Sequence, residues 1–336
     1  MKVLITISLI KDLCNNGLNQ NIIFLGELLE SIGLEVFYVV DHPPSKSLYR
    51  SKNITIIEQS DVLGLNFNYL IQAGFFLSNQ LLHALKQKNK NFKNIHLEYG
   101  NRMLGDMSRL NSRYIRSHIY MVDGIWLSPH YESNTSYYKS LYRVNNIKII
   151  PYIWSPKFIE GIQLNPNSNN ISIMEPNINV SKNCLIPLLI SEEFNNQNQS
   201  KKLNTNIYCS NNLNKSRFFK SLLFNLDKNN SVHLLDRKPN TIIFSDTKVV
   251  VSHQIMNELN YLYLECLYLG IPLIHNSPMI RDAGYYYPEH DTIEGSRQLQ
   301  LALDSRTSPP SSPVIDRYIN TNTNTINEYK KIFGLC

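Results

Sequence analysis

Hydrophobic and polar residues alternate along this chain in two recurring patterns. Short apolar runs bounded by turn residues are typical of buried strands, whereas apolar residues spaced three or four positions apart are typical of helices. The chain opens with the first pattern at residues 2–10, continues with the second at 22–32, where Gly33 ends the helix, and returns to the first at 34–40. This β-loop-α-β order predicts the start of a doubly wound parallel sheet.

The same alternation continues along the chain and predicts an α/β protein throughout. We predict further strands at residues 54–57, 69–73, 95–99, 122–127, 147–150, 171–174, 207–210, 232–235, 241–244, 249–251 and 271–274. We predict further helices at residues 79–87, 103–119, 137–142, 216–226 and 315–333, and one that ends at Gly270.

A break with two prolines at residues 151–156 separates two such series of elements. A chain of 336 residues is long enough for about two domains, each with its own core. We therefore predict Rossmann-like domains at residues 1–152 and 170–310, followed by a C-terminal segment at 311–336.

Composition excludes several classes of protein. The five cysteines are scattered and form no CxxC pair, which favours reduced thiols in the cytoplasm over a disulfide framework or a zinc site. Asp, Glu and His nowhere cluster at the spacing of metal ligands, so we predict no bound metal. No run of 18 uncharged apolar residues occurs, so we predict no membrane span.

The segment at residues 249–284 carries strand, helix and strand patterns in the order of a βαβ unit. Within it, the run ECLYLGIPLI at residues 265–274 resembles the nucleotide-sugar segment of the retaining GT-B glycosyltransferases. This resemblance implies that Glu265 holds the ribose hydroxyls of the donor. In that family a second glutamate, near the donor sugar or its phosphates, precedes the first with seven residues between them. Here Glu258 has six between, and Asn257 stands at the expected place.

Three shorter runs resemble a GT-B-like family first described as a domain of unknown function: EPN at 175–177, NYLY at 260–263 and HNSP at 275–278. The resemblance implies two Rossmann-like domains that face each other across a cleft, a donor bound by the second, and a C-terminal helix that crosses back onto the first. We place Asn177 and Asn260 of these runs among the donor-binding candidates, together with His253 in the polar loop after residues 249–251.

Two further donor-binding candidates lie in loops that lead into predicted helices. Lys182 falls in the predicted first turn of a helix, where a cation is unfavourable for the helix dipole unless an anion is bound. It is therefore a candidate for contacting the diphosphate. Gly17 lies in a loop that a GT-B fold turns toward the ligand, although the loop lacks the GxGxxG pattern and is equally well explained as a tight turn.

The catalytic candidates follow strands of the first domain, because ligands collect at the carboxyl ends of parallel strands. Glu98 and His130 each stand at such a position. An inverting transferase needs a general base, and either residue supplies one. In a retaining enzyme the leaving phosphate itself serves as the base. Both residues are also explained as structural groups at strand ends, so the sequence leaves the base open.

An arginine series follows in the predicted helix at 103–119. Its members share one helix face and are Arg102, Arg109, Arg113 and Arg116. Residues 1–150 carry +5 of the net charge of +6. We predict that the series contacts the phosphates of an anionic acceptor, the alternative being a solvated face.

Together these features predict a glycosyltransferase that moves a sugar from a nucleoside-diphosphate sugar to an acceptor, which is a modified base in DNA or a glycan. We expect no cofactor and a cytoplasmic location. A virus-encoded enzyme that acts in the host cytoplasm fits this expectation. Two other classes remain open: a sugar-nucleotide-binding module without turnover, and a nucleic-acid-binding protein based on the basic first half.

Overall fold

A computed structural model describes residues 1–8, 17–41, 54–108, 110, 121–198, 203–305 and 311–335. The chain divides into two compact units, one formed by Met1–Ser155 with Tyr318–Cys336 and the other by Pro156–Arg317. The division at Ser155 lies close to the predicted break. The return to the first unit comes at Tyr318, later than the predicted start of the C-terminal segment at 311.

The first unit is built on a sheet whose described strands are all parallel. Its strands are β1 (Lys2–Ile7), β2 (Glu35–Val40), β3 (Ile56–Glu58), β4 (Tyr69–Gln72), β5 (Lys93–Glu98), β6 (Gly124–Leu127) and β7 (Ile147–Ile149). Their order is β3-β2-β1-β4-β5-β6-β7. The central strands β1, β4 and β5 are buried over almost their whole length, as expected of a parallel sheet that helices cover on both faces. The first helices are α1 (Gly17–Ser31), α2 (Asn79–Lys88), α3 (Arg102–Met107) and α4 (Thr135–Tyr142).

The second unit repeats this plan. Its strands are β8 (Asn170–Ile173), β9 (Asn204–Ile207), β10 (Val232–Leu234), β11 (Val249–Val251), β12 (Leu273–His275) and β13 (Tyr285–Tyr286). The described strands are parallel, in the order β10-β9-β8-β11-β12-β13. This is the doubly wound Rossmann order, in which the direction of winding reverses between β8 and β11. The predicted α/β class with two parallel sheets is therefore confirmed.

The apolar core of the second unit includes Leu188 and Phe194 of α5, Leu226 of α7 and Leu299 of α10. The helices that follow α4 are α5 (Leu185–Gln197), α6 (Arg217–Ser221), α7 (Phe224–Lys228), α8 (Asn240–Ser245), α9 (Tyr261–Leu269), α10 (Thr292–Asp304) and α11 (Ser312–Tyr318). The last helix, α12 (Thr323–Phe333), belongs to the first unit. None of the helices within the described ranges is long and apolar enough to cross a membrane.

Residues 241–244 were predicted as a strand and form part of α8 instead. A short apolar run fits a strand and a buried helix equally well. Here Pro239 precedes the helix, and its fixed φ suits a helix start. The resulting turn buries Ile243 and Phe244 while Ile242 stays exposed, a pattern that strand alternation would not produce.

Three predicted helices are also shorter or divided. Residues 216–226 form α6 and the start of α7, with a break at Leu222 and Leu223. Residues 315–333 form most of α11 and all of α12, because Asn322 caps a new helix by accepting hydrogen bonds from the N–H groups of Asn324 and Thr325. The helix predicted at 103–119 begins as α3 and ends at Met107, and most of its remainder lies outside the described residues.

Candidate functional site

The carboxyl ends of β8 and β11 meet where the winding of the second sheet reverses, which is the usual ligand position in such sheets. Glu175 comes just after β8, and only 1% of it is exposed. Its Oε1 accepts hydrogen bonds from the Ser252 hydroxyl and from the backbone N–H of His253 at 3.1 Å. A single carboxyl group thus joins the ends of two central strands.

Burial raises the pKa of Glu175 to about 7, although hydrogen bonds from Ser252 and His253 act in the opposite direction. Its second oxygen, Oε2, is buried and has no hydrogen-bond partner among the residues that the structure describes. Glu175 belongs to the EPN run at 175–177 but is not among the site residues that the sequence predicted. The signal that identifies it is the one used for other candidates, a polar residue directly after an apolar strand.

Asn177 shapes the loop that follows Glu175. Its φ is +53°, in the left-handed region that asparagine tolerates better than most residues. Its Nδ2 donates to the backbone carbonyls of Glu175, Tyr208 and Cys209 at 3.1–3.3 Å. Its Oδ1 accepts from the N–H of Cys184 at 2.8 Å. The side chain therefore holds the loop in shape, and its predicted contact with the donor remains a prediction.

Lys182 lies before α5, whereas the sequence had predicted it in the first turn of that helix. The Asn179 side chain closes a turn by accepting from the N–H groups of Ser181 and Lys182 at 3.0 and 3.2 Å. Asn183 then accepts from the N–H of Leu185 at 3.0 Å, so the helix begins there. Because these side chains satisfy the backbone groups, the helix start moves toward the C-terminus.

The Lys182 side chain is half-buried, and within the described ranges no carboxylate lies at ion-pair distance from it. Burial lowers its pKa, while the charge of Glu175 acts to raise it. An ammonium group in this position is stabilised by a bound anion, which is the property expected of a phosphate ligand.

His253 and Glu258 lie in the loop between β11 and α9. His253 is 3% exposed, and its Nδ1 is 2.9 Å from the Tyr287 hydroxyl. Glu258 is half-buried, precedes α9, and has a pKa raised by burial. Nε2 of His253 and Oε2 of Glu258 are both buried, and neither has a hydrogen-bond partner in the described part of the chain.

An amide pair occupies the place where the resemblance leads one to expect the second glutamate. Asn257 is 3% exposed, and its Nδ2 donates to Oε1 of Gln254 at 2.9 Å. Gln254 is in turn held by Asn276, whose Oδ1 accepts from the Gln254 N–H at 3.0 Å and whose Nδ2 donates to the Gln254 carbonyl at 2.8 Å. A neutral network therefore stands at the position where the resemblance implies a charged residue.

Asn260 and Glu265 belong to α9. Asn260 is the N-cap, with its Oδ1 accepting from the N–H of Leu262 at 3.2 Å. Glu265 is 3% exposed, and its Oε2 accepts from Nδ2 of Asn240, the first residue of α8, at 2.8 Å. Burial raises the pKa of Glu265 to about 7, and the Asn240 hydrogen bond acts in the opposite direction. No local sequence signal pointed to Asn240.

In the first unit, Glu98 at the end of β5 is held by two cationic or potentially cationic groups. Its Oε2 accepts from Nε of Arg102 and lies 3.1 Å from Nε2 of His96. Burial acts to raise the pKa of Glu98, but Arg102 and His96 together hold it below its ordinary value. A carboxylate stabilised in this way is a poor proton acceptor, which argues against the predicted general-base role of Glu98. It also gives Arg102 a partner within the protein.

The remaining candidates of the first unit are spread over separate elements. His130 lies in a 3₁₀ turn after β6, with ring-centroid distances of 3.9 Å to Tyr131 and 5.7 Å to Tyr152. Gly17 is the exposed first residue of α1. The other three arginines of the predicted series, at positions 109, 113 and 116, lie outside the described residues. Among the residues with described positions, no group of three or more His, Cys, Asp or Glu could hold a metal ion.

Comparison with solved structures identifies the fold class. Over 99% of this chain and 98% of the other, the structure is similar to a glycosyltransferase from Rickettsia africae ESF-5, with a TM-score of 0.65 and 11% identity. An α-glucosyltransferase in complex with UDP and a 13-mer DNA containing an HMU base has a TM-score of 0.61 and 13% identity over 100% and 99% of the two chains. The lipopolysaccharide outer core galactosyltransferase WaaB has a TM-score of 0.54 and 8% identity over 100% of both.

These likenesses show that the protein has the GT-B glycosyltransferase fold, as the sequence predicted. At the level of sequence, residues 3–332 match the model of one family, and the chain belongs to that family, described as protein of unknown function DUF2827. No curated protein matches the sequence.

Proposed function

We propose that this protein is a glycosyltransferase whose second unit binds a nucleoside-diphosphate sugar. The observation that carries the proposal is the buried carboxyl group of Glu265 on α9, with a pKa of about 7 and one amide donor from Asn240. A carboxylate accepts hydrogen bonds from two adjacent hydroxyl groups, which suits the ribose of a nucleotide. The GT-B fold supports the same assignment.

Lys182 supplies the electrostatic part of the mechanism. Negative charge grows on the diphosphate as the glycosidic bond breaks, so a fixed cation at that position favours the transition state. The hydroxyl group of the acceptor substrate must lose its proton. Because the environment of Glu98 makes it a poor base, His130 and the departing phosphate are the groups that remain to take this proton. We expect these protein groups to act without a resident metal or cofactor.

A panel of nucleoside diphosphates and their sugars tests the proposal directly. A ligand present at 100 times its Kd is expected to raise the free energy of unfolding by about 2.7 kcal/mol, which a thermal-shift measurement detects. Release of the free nucleotide from the bound sugar nucleotide distinguishes an enzyme from a binding module without turnover. If no member of the panel stabilises the protein, the proposed donor class is wrong.

Lys182→Ala is expected to weaken the binding of a nucleoside diphosphate more than that of the nucleoside alone. The half-buried ammonium group lacks an internal ion-pair partner in the described structure, so its removal costs the diphosphate about 1 kcal/mol, or five- to tenfold in Kd. Calorimetric titration of both ligands measures the difference. Lys228→Ala, at an exposed lysine of the same unit, is the control. Equal loss for both ligands would show that Lys182 does not contact the phosphates.

We propose a modified base in DNA or a glycan as the acceptor. The fold shared with a DNA-bound α-glucosyltransferase favours the first, and the fold shared with the galactosyltransferase WaaB favours the second. The uneven distribution of charge, with +5 on residues 1–150, also suits a polyanion.

Replacing Arg109, Arg113 and Arg116 together by glutamine separates these acceptors. If duplex DNA is the acceptor, its binding should weaken, and the slope of log K against log salt concentration should flatten by about 0.9 per lost phosphate contact. Hydrolysis of the donor without acceptor should stay at the unmodified level. An unchanged salt slope would mean that the arginine series is a solvated face, and a glycan would then be the better acceptor.

A further inference from the structure

His253 is almost fully buried at the reversal point of the second sheet, yet one of its ring nitrogens is unsatisfied. The residue follows Ser252 directly after β11, and its backbone N–H donates to Glu175 at 3.1 Å. The residue is 3% exposed, and no group of the described residues makes a hydrogen bond to Nε2. Buried polar atoms are nearly always paired, so an unpaired one indicates a missing partner.

The hydrogen bonds of Tyr287 determine where the ring proton of His253 lies. The Tyr287 hydroxyl donates its one proton to the carbonyl oxygen of Ser252 at 3.0 Å, since a carbonyl can only accept. The contact at 2.9 Å between the same hydroxyl and Nδ1 of His253 must then be donated by the ring. The neutral ring therefore carries its proton on Nδ1, which leaves Nε2 as a hydrogen-bond acceptor.

The charge state and the surroundings of the ring agree with this assignment. Burial, with a smaller contribution from His290, lowers the pKa of His253 to about 4, so the ring is neutral at physiological pH. The His290 ring lies alongside with its centroid 4.9 Å away, but it makes no hydrogen bond to Nε2. The partner of Nε2 is therefore not supplied by the neighbouring histidine.

A second buried histidine on the next strand shows the contrast. His275 at the end of β12 is 0% exposed, like the core around it. Its Nε2 donates to the Ala283 carbonyl at 2.8 Å, and its Nδ1 accepts from the N–H of Ser277 at 3.1 Å. Both of its nitrogens are satisfied, as expected for a histidine with a structural role, whereas His253 keeps one acceptor open.

The chemistry of the open positions indicates the ligand group. Oε2 of Glu175 and Oε2 of Glu258 are, like Nε2 of His253, buried without partners within the described ranges. A neutral imidazole acceptor requires a donor, and a phosphate group is almost wholly without protons near neutral pH. Hydroxyl donors come from the ribose, which the proposed function assigns to Glu265, and from the transferred sugar. We propose that Nε2 of His253 accepts a hydrogen bond from a hydroxyl group of the sugar carried by the donor, an inference that rests on the proposed function. His253 then recognises the sugar and not the nucleotide.

His253→Asn tests the proposal because the asparagine amide can still donate to Tyr287 from near the position of Nδ1, while the acceptor at Nε2 is removed. In calorimetric titrations with UDP, GDP and ADP and with UDP-glucose, GDP-mannose and ADP-glucose, the variant should bind the sugar nucleotide that the wild type prefers about three- to tenfold more weakly. Its affinity for the corresponding nucleoside diphosphate should change less than twofold. His233→Asn, at an exposed histidine on β10, is the matched control.

Tyr287→Phe provides a second variant that keeps the histidine. Without the hydroxyl group, the ring is free to move its proton to Nε2, so the same selective loss for the sugar nucleotide is expected. A third measurement needs no substitution: in ¹⁵N-histidine-labelled wild type, Nε2 of His253 should give the signal of an unprotonated nitrogen. That signal should shift on addition of the sugar nucleotide and stay in place with the nucleoside diphosphate alone.

The outcomes separate the two proposals. If the wild type binds no member of the panel, the proposed donor class fails and this inference falls with it. If the wild type binds both kinds of ligand but His253→Asn weakens them equally or not at all, only the role of His253 is overturned. A protonated Nε2 in the labelled wild type, or a signal that does not respond to the sugar nucleotide, also overturns it, even if the variants fail to fold.

Discussion

Glu265→Gln is expected to weaken binding of the donor nucleotide by about 10- to 150-fold, corresponding to the 1.5–3 kcal/mol of a hydrogen-bonding site on a charged group. The amide keeps the volume of the side chain and one acceptor oxygen, so the contact with Asn240 and the fold should persist. Isothermal titration of the preferred nucleoside diphosphate measures the loss. Glu289→Gln, at an exposed carboxylate of the same unit, should bind like the wild type. Unchanged affinity in Glu265→Gln would remove Glu265 from the nucleotide site.

The pKa of about 7 makes the contribution of Glu265 depend on pH. Ribose hydroxyls favour the ionised form, so binding should tighten as the pH rises through 7 and should release protons near that pH. For stability the sign is opposite: the pKa is raised from 4.5, so the unfolded chain loses this proton first. The free energy of unfolding should therefore fall as the pH rises from about 4.5 to about 7. Urea titrations of Glu265→Gln should lack this part of the pH dependence, while the part from Glu175 remains.

Phe333→Ala is expected to lower the free energy of unfolding of the first unit by about 3–5 kcal/mol. Phe333 is the last residue of α12 and is 4% exposed. Its ring contacts Tyr69 and Trp126, with centroid distances of 4.8 and 5.7 Å, so truncation leaves a cavity between the terminal helix and the sheet.

Tryptophan fluorescence measures this effect in the right part of the molecule. The chain has two tryptophans, Trp126 and Trp154, and both belong to the first unit. Urea denaturation followed by their emission should show the lower midpoint. Leu335→Ala, beyond the end of α12 at a residue 40% exposed, should stay near the wild-type midpoint. A loss below about 1 kcal/mol in Phe333→Ala would show that α12 contributes little to the first unit.

Much of the fold follows from local pattern. The segment from β11 through α9 to β12 is an example, because each of its signals acts within a few residues. The apolar run Val249–Val251 forms a strand buried on both faces, and the Asn260 side chain caps the following helix. Gly270 ends that helix at φ +71°, a conformation that glycine adopts without strain. Resemblance to GT-B enzymes drew attention to Glu265 in the same segment.

Other features could not be derived from the sequence, because hydrophobic periodicity records which side of an element is buried and not which strand ends lie together. Residues 241–244 form a helix whose inner side packs in the core. The Asn179 side chain closes a turn at Lys182, so that α5 begins after this residue. The hydrogen bonds from Ser252 and His253 to Glu175 connect residues more than 75 positions apart in the chain. They form only because β8 and β11 are neighbours in the sheet.

The sequence by itself thus determined the α/β class and the GT-B fold, and it predicted a donor-binding role for Glu265. Tertiary structure decided the chemical state of the site. Burial raised the pKa of Glu175 and Glu265 to about 7, the contacts with Arg102 and His96 lowered the pKa of Glu98, and the hydroxyl of Tyr287 fixed the ring proton of His253. The physical reason is that pKa and tautomer depend on desolvation and on partners distant in sequence, which a linear pattern of residues does not record.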